Sequence, residues 1–267
     1  MSERLPTYYL SHGGGPWSFM QGPMRREHEQ LEAALLSVSR ELDGRAKAIL
    51  MISGHWEEPE FAVTSGAQPP MVYDYAGFPP ELYRIKYPAP GSPELAQRIH
   101  SLIEGVGLRG GLDADRGFDH GTYALLAVTH PNANVPVVQV AIRNDYDPEA
   151  HLRAGEALAP LRDEGIAIIG SGSSYHNLRR RMDARKSSAS FDAWLTQTLI
   201  EIAPQERRAR LLRWEQLAPF AREAHPTEDH LIPLHVVVGA AGSDGTRVIY
   251  HQDDFMGGWM LSSYRFG

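Results

Sequence analysis

The chain has 267 residues, 42% of them hydrophobic and 22% charged, enough apolar mass for one sizeable core or two small ones. Its net charge is −7 and its basic runs (Arg25-Arg26, Arg179 to Arg181, Arg207-Arg208) are short and separated, which argues against a nucleic-acid groove. The absence of cysteine excludes disulfides, thiolate-held zinc and iron–sulfur clusters, so any metal must be bound by nitrogen and oxygen.

The N-terminal MSERLPTYYL lacks the apolar stretch of a signal peptide, and no segment nears the roughly 18 apolar residues of a spanning helix; a cytoplasmic location with no membrane partner is expected. Tyr8 to Leu10 is a short apolar entry that ends in the loop Ser11-His12-Gly13-Gly14-Gly15-Pro16. From Arg25 to Leu42, the three-and-four spacing of Leu31, Ala34, Leu35, Val38 and Leu42 predicts a helix with one buried face. Ala48 to Ser53 is a near-continuous apolar run, as in a strand covered on both sides, with His55 just past its end.

Ser92 as cap and Pro93 at the first position open a helix whose stripe is Leu95, Ile99, Leu102, Ile103 and Val106. Val135 to Ile142 reads as a strand. Asp147-Pro148 starts a helix to Glu164, which Gly165 terminates before the strand Ile166 to Ile169, and His176 follows that strand. Ser190 to Ile202 and about Gln205 to Leu217 read as helical, and Arg247 to Tyr250 and Trp259 to Tyr264 return to strand. This alternation predicts an α/β fold, a three-layer αβα-type single domain over residues 1–267 with a central, mostly parallel, mixed sheet.

In such sheets, ligands bind where loops gather at the carboxyl ends of strands. His12 in SHGGGP, His55 in SGHWEE and His176 in SGSSYHNLR all occupy loops of that kind, and HPTEDHLIPLH supplies His230. Three or four neutral imidazoles can hold a divalent ion and leave positions open for water or substrate. Taken singly, a histidine more often packs or caps a loop. His28, His100 and His151 are expected on exposed helix faces, His130 and His251 on the surface, and His225 and His235 in supporting or structural roles.

The ordered set SHGGGP, SGHWEE, YDYAGFPPELY, YPAPGSPELA, GFDHGTYALL, GSGSSYHNLR and HPTEDHLIPLHVVVGAAG resembles the LigB-like class III extradiol ring-cleavage dioxygenases, in their DOPA 4,5-dioxygenase branch, from about residue 8 to 241. The resemblance implies His12, His55 and His230 as metal ligands, with His230 where other members carry a glutamate. A carboxylate from Glu228 or Asp229 in that place is the alternative. It also implies His176 as acid–base residue or fourth ligand, His120 as a pocket residue touching substrate or dioxygen and oriented by Asp119, and Tyr175 beside the substrate. The cofactor implied is Fe(II), with Zn(II) also compatible, and the partners are a small aromatic diol and O2, the diol being opened to a muconic semialdehyde.

The aromatic residues Trp17, Trp56, Tyr73, Phe78, Phe118, Tyr123 and Tyr175 are candidates for walls of a flat pocket, or for ordinary core. Arg179 to Arg181 are expected to be solvated rather than to bind a carboxylate. Two other functions fit the same residues. One is a zinc-dependent hydrolase with His176 or Glu57 as base, and the other is a non-enzymatic binding protein on the same scaffold. Oligomeric state is not encoded in any of these signals.

Overall fold

In the computed structural model, which describes residues 4–180 and 183–267, the apolar runs become strands because their backbone groups can pair only with one another once buried. They are β1 (Thr7–Ser11), β2 (Ala48–Glu58), β3 (Phe61–Thr64), β4 (Gly110–Asp113), β5 (Val137–Arg143), β6 (Ile166–Gly172), β7 (Thr246–Phe255) and β8 (Trp259–Phe266). All belong to one sheet in the order β4-β3-β5-β2-β6-β1-β8-β7. The centre, β5-β2-β6-β1, is parallel; β3 joins β5, and β8 joins β1, in antiparallel fashion.

Side chains of the central strands alternate between two apolar layers. Ile49, Met51, Val137, Ala167 and Ile169 enter one core with Leu31, Leu35, Val38 and Leu42 of the Glu29–Leu42 helix and with the His120–Thr129 helix. Leu50, Ile52, Val138, Val140 and Ile168 enter the other, with Leu95, Ile99 and Ile103 of the Pro93–Gly105 helix and Ala150, Ala154 and Leu158 of the Pro148–Leu158 helix. Each fully buried Leu or Ile contributes about 1.5–3 kcal/mol of transfer free energy. Both faces of the sheet are therefore covered, and the architecture is the anticipated α/β layering.

Local signals hold where they have a chemical partner. Ser92 Oγ accepts from the Leu95 N–H at 3.3 Å with Pro93 beside it, and Asp147 Oδ1 accepts from the Glu149 N–H at 3.1 Å. Several boundaries differ. The predicted Arg25–Leu42 helix is broken, because His28 leaves helical geometry (φ −102°, ψ 4°) and turns its ring inward onto Trp17. Strand β2 extends through His55 to Glu58, past a register shift between Ile52 and Glu57. The Pro148 helix ends at Leu158, where Pro160 begins a tighter turn, with Gly165 at φ +88°. The last helical region divides into Arg185–Thr196 with a following wide turn, Pro204–Leu212 and Trp214–Leu217.

Strands β3 and β4 and the helices His120–Thr129 and Ile232–Ala241 give no clear sequence signal. The strands have four residues each, and the helices are apolar nearly all round, so they carry no stripe. Among the described residues no helix is long and apolar enough to cross a membrane.

Candidate metal centre

The neighbouring parallel strands β2, β6 and β1 bring the predicted segments to one edge. His12 directly follows β1, His55 sits in the irregular end of β2, and His176 lies four residues beyond β6. His230 arrives on the turn before the Ile232–Ala241 helix, and glycine makes room for it: a Cβ on Gly172 would lie 2.1 Å from the His230 carbonyl oxygen, and one on Gly54 would lie 2.6 Å from that of Asp229. Tyr9 Oη (2.7 Å) and the Ser173 N–H (3.1 Å) both donate to the His230 carbonyl and fix its backbone.

His55 Nε2 stands 3.0 Å from His12 Nε2 and 3.2 Å from His230 Nε2. The proton positions follow from what faces each Nδ1. Ser171 Oγ gives its hydrogen to the Gly121 carbonyl at 2.6 Å, so at 2.8 Å it accepts from His12 Nδ1–H. Asp229 Oδ2 accepts from His230 Nδ1–H at 2.7 Å, and Asp74 Oδ2 lies 3.3 Å from His55 Nδ1. These partners assign Nδ1–H to all three rings, and the bare Nε2 atoms of His12 and His230 both face that of His55. Such an arrangement is repulsive unless a cation lies between them. Burial, and then the neighbouring imidazoles, push His12 and His230 well below the usual imidazole range; burial followed by His120 pushes His55 down to about 3. Neutral imidazoles with this tautomer are what a divalent ion requires.

Two further histidines adjoin these three: His120 brings a ring nitrogen within 4.8 Å of those of His12 and His55, and His176 stands in the same way with His230 and Asp229. The His176 ring stacks on His230 at 3.4 Å and 17°, with Nδ1 3.9 Å from Asp229 Oδ2, and its side chain is 22% exposed. Burial lowers its pKa and Asp229 opposes that shift. His120 is buried with its centroid 4.0 Å from that of His55. Its orienting partner is Asp74, at 2.9 Å from Nδ1. The expected partner, Asp119, instead caps the His120–Thr129 helix by accepting from the Thr122 N–H, and also accepts from Ser53 Oγ. Asp74 was missed although it lies in the YDYAGFPPELY motif; a carboxylate between two tyrosines has no readable geometry in sequence. Asp229 is turned to the Nδ1 side of His230, and Glu228 is paired with Arg222 at 2.7 Å.

The remaining candidates scatter. Tyr175 is fully buried against Trp259 (5.3 Å) with its hydroxyl 3.2 Å from Ser187 Oγ, contacts that set its ring in the core. Trp17, Trp56, Phe118 and Tyr123 are core as well, while Tyr73 and Phe78 are half-buried. Tyr75 and Tyr83, which sequence reasoning passed over, join Tyr73 and Phe78 in an aromatic group whose Tyr75 ring stands 5.9 Å from His120.

His28 and His151 are buried, not on exposed faces: one stacks on Trp17, and the other accepts the Arg143 N–H at Nε2 (3.0 Å). His225 and His235 are fully buried with Nε2 facing the carbonyls of Ser174 and Leu211, a packing role. Arg179 and Arg180 are exposed, Arg180 paired with Glu223 at 3.0 Å; Arg181 lies outside the described residues.

The family of the catalytic LigB subunit of aromatic ring-opening dioxygenase matches residues 6–266. A protein of Beta vulgaris named 4,5-DOPA dioxygenase extradiol is 36% identical over 97% of this chain and 96% of its own. Dioxygenase tasH of Hapsidospora irregularis is 35% identical over 94% and 82%. The crystal structure of an uncharacterised protein from Escherichia coli K12 superposes with a TM-score of 0.79 at 28% identity, covering 99% of this chain and 100% of that one.

Proposed function

The chain belongs to the LigB family of aromatic ring-opening dioxygenases, and from that premise we propose that it opens a DOPA-like catechol with O2 at an Fe(II) ion held by His12, His55 and His230. The enzyme is an extradiol ring-cleavage oxidoreductase of a metal-dependent family; the ion's identity, the diol and the roles of individual residues are the proposal. The observation that carries it is the meeting of three bare Nε2 atoms within 3.0 and 3.2 Å of their central member. When bound, the ion would lower the pKa of a coordinated diol and mediate electron transfer between ring and dioxygen.

The protein's own groups prepare that chemistry. Ser171, Asp74 and Asp229 hold the ligand rings in one tautomer, so no ligand proton has to leave when an ion enters. His176, partly exposed and stacked on His230, is placed to take the proton a diol hydroxyl releases, with Asp229 to stabilise the resulting charge. His120, fixed by Asp74 at Nδ1, can accept a hydrogen bond from a hydroxyl of the bound diol at Nε2. Tyr73, Tyr75, Phe78 and Tyr83 form an aromatic cluster beside it that would wall the diol's place. Residues 1–267 act in this reading as one catalytic domain.

The test is anaerobic loading with Fe(II), followed by oxygen uptake with a panel of catechols. Uptake that is stoichiometric with catechol and yields a ring-opened product supports the proposal. Hydrolysis of an ester or amide without O2 and no uptake with any catechol overturns it.

A further inference from the structure

Asp74 lies on an exposed loop, but its side chain turns inward and is only 18% exposed. There it meets two histidines with different tasks. Oδ1 accepts from the His120 backbone N–H at 3.0 Å and faces His120 Nδ1 at 2.9 Å, while Oδ2 faces His55 Nδ1 at 3.3 Å. An ionised carboxylate only accepts, so both rings must present Nδ1–H to it.

We propose that Asp74 is a positioning residue for ring cleavage, one carboxylate that fixes the tautomer of both the metal ligand His55 and the pocket histidine His120. The inference rests on the metal-site reading given above. His55 is thereby kept with its lone pair at Nε2, toward His12 and His230, and His120 keeps its own Nε2 lone pair free to accept a hydrogen bond from a diol hydroxyl. If that hydroxyl passes its proton across, the O–H bond breaks as N–H forms at Nε2, and the imidazolium is paired with Asp74 at the other nitrogen. Ligand geometry and proton handling are therefore coupled through one side chain.

The Asp74→Asn change separates this from a merely structural role, because Asn has one acceptor and one donor. The His120 backbone N–H is a permanent donor, so the amide oxygen takes the Oδ1 place and the NH2 group is left facing His55 Nδ1. His55 must then accept at Nδ1 and carry its proton on Nε2, where a metal would bind.

Side-chain 15N NMR of the metal-free protein, together with Zn(II) affinity by chelator competition, reads both consequences. In the wild type, His55 and His120 are expected in the Nδ1–H form. In Asp74→Asn, His55 is expected in the Nε2–H form, with Zn(II) affinity lower by about 10- to 100-fold. Wild-type His55 or His120 in the Nε2–H form overturns the proposal without any variant having to fold. So does a folded Asp74→Asn protein with unchanged tautomers and affinity. Failure of the wild type to bind any divalent ion counts instead against the metal-site reading, and the tautomers still judge Asp74.

Discussion

Ser171 and His12 share a hydrogen bond of 2.8 Å whose direction is set from outside the pair: the serine hydrogen is already committed to the Gly121 carbonyl, so the imidazole must be the donor. The hydroxyl of a β6 residue thereby fixes which nitrogen of His12 faces the site. Ser171→Ala removes the acceptor and leaves a buried Nδ1–H unpaired, at a cost of about 1–3 kcal/mol that the ring escapes by changing tautomer. Divalent-ion affinity, measured by chelator competition, is expected to fall about tenfold with the fold intact; unchanged affinity would remove Ser171 from the account.

His12→Ala, His55→Ala and His230→Ala each take away one of the three converging nitrogens. Each variant is expected to retain its far-ultraviolet circular dichroism, to lose stoichiometric Fe(II) binding and to show no catechol-dependent oxygen uptake. His176→Ala is expected to bind the ion with nearly wild-type stoichiometry but to lose turnover, with a loss on the order of 100-fold or more for a missing acid–base group. Normal uptake by any of the first three variants would strike that residue from the ligand set.

Gly172 touches the site by having no side chain. An added Cβ would sit 2.1 Å from the His230 carbonyl oxygen and 3.3 Å from the Tyr9 ring, so Gly172→Ala must push back the turn that carries His230. Thermal unfolding is expected to show a loss of about 1–3 kcal/mol, as for other overpacked cores, together with weaker ion binding. Gly111→Ala, whose Cβ would meet nothing within 4 Å, is the control and is expected to change neither.

Glu41 predicts how stability depends on pH away from the site. Its carboxylate accepts from Tyr8 Oη at 2.8 Å and from Arg265 at 2.5 to 3.0 Å, with Arg247 at 3.6 Å. Burial disfavours its charge, but the Arg265 hydrogen bonds outweigh that and lower its pKa below 4.5. A pKa lower in the folded than in the unfolded state gives stability that is present above the unfolded value and lost as pH falls through the folded one. The urea midpoint is therefore expected to drop as pH falls below about 4.5, with a shallower drop for Glu41→Gln. Parallel acid limbs in the two proteins would refute this.

Much of the site was legible because three of its histidines follow strands. Apolar runs before His12, His55 and His176 mark strand ends, and a parallel sheet gathers strand ends on one edge. His230 was legible only through motif order, since the helix it precedes is apolar on every side and carries no periodicity. The groups that fix the ring tautomers were not legible. Ser171 lies within an ordinary strand, and Asp74 reaches His120 across 46 positions, while the nearer Asp119 is consumed by a helix cap. Exposure failed for His28 and His151, whose places on helices looked solvated; both are drawn inward, His28 by stacking on Trp17 and His151 by the Arg143 N–H.

The most direct test of the central claim is anomalous diffraction from crystals soaked with a divalent transition ion. The account predicts one dominant peak within about 2.0–2.3 Å of the Nε2 atoms of His12, His55 and His230 together. A peak bound elsewhere, or no peak at these three nitrogens in a protein that still consumes oxygen with catechol, would contradict it.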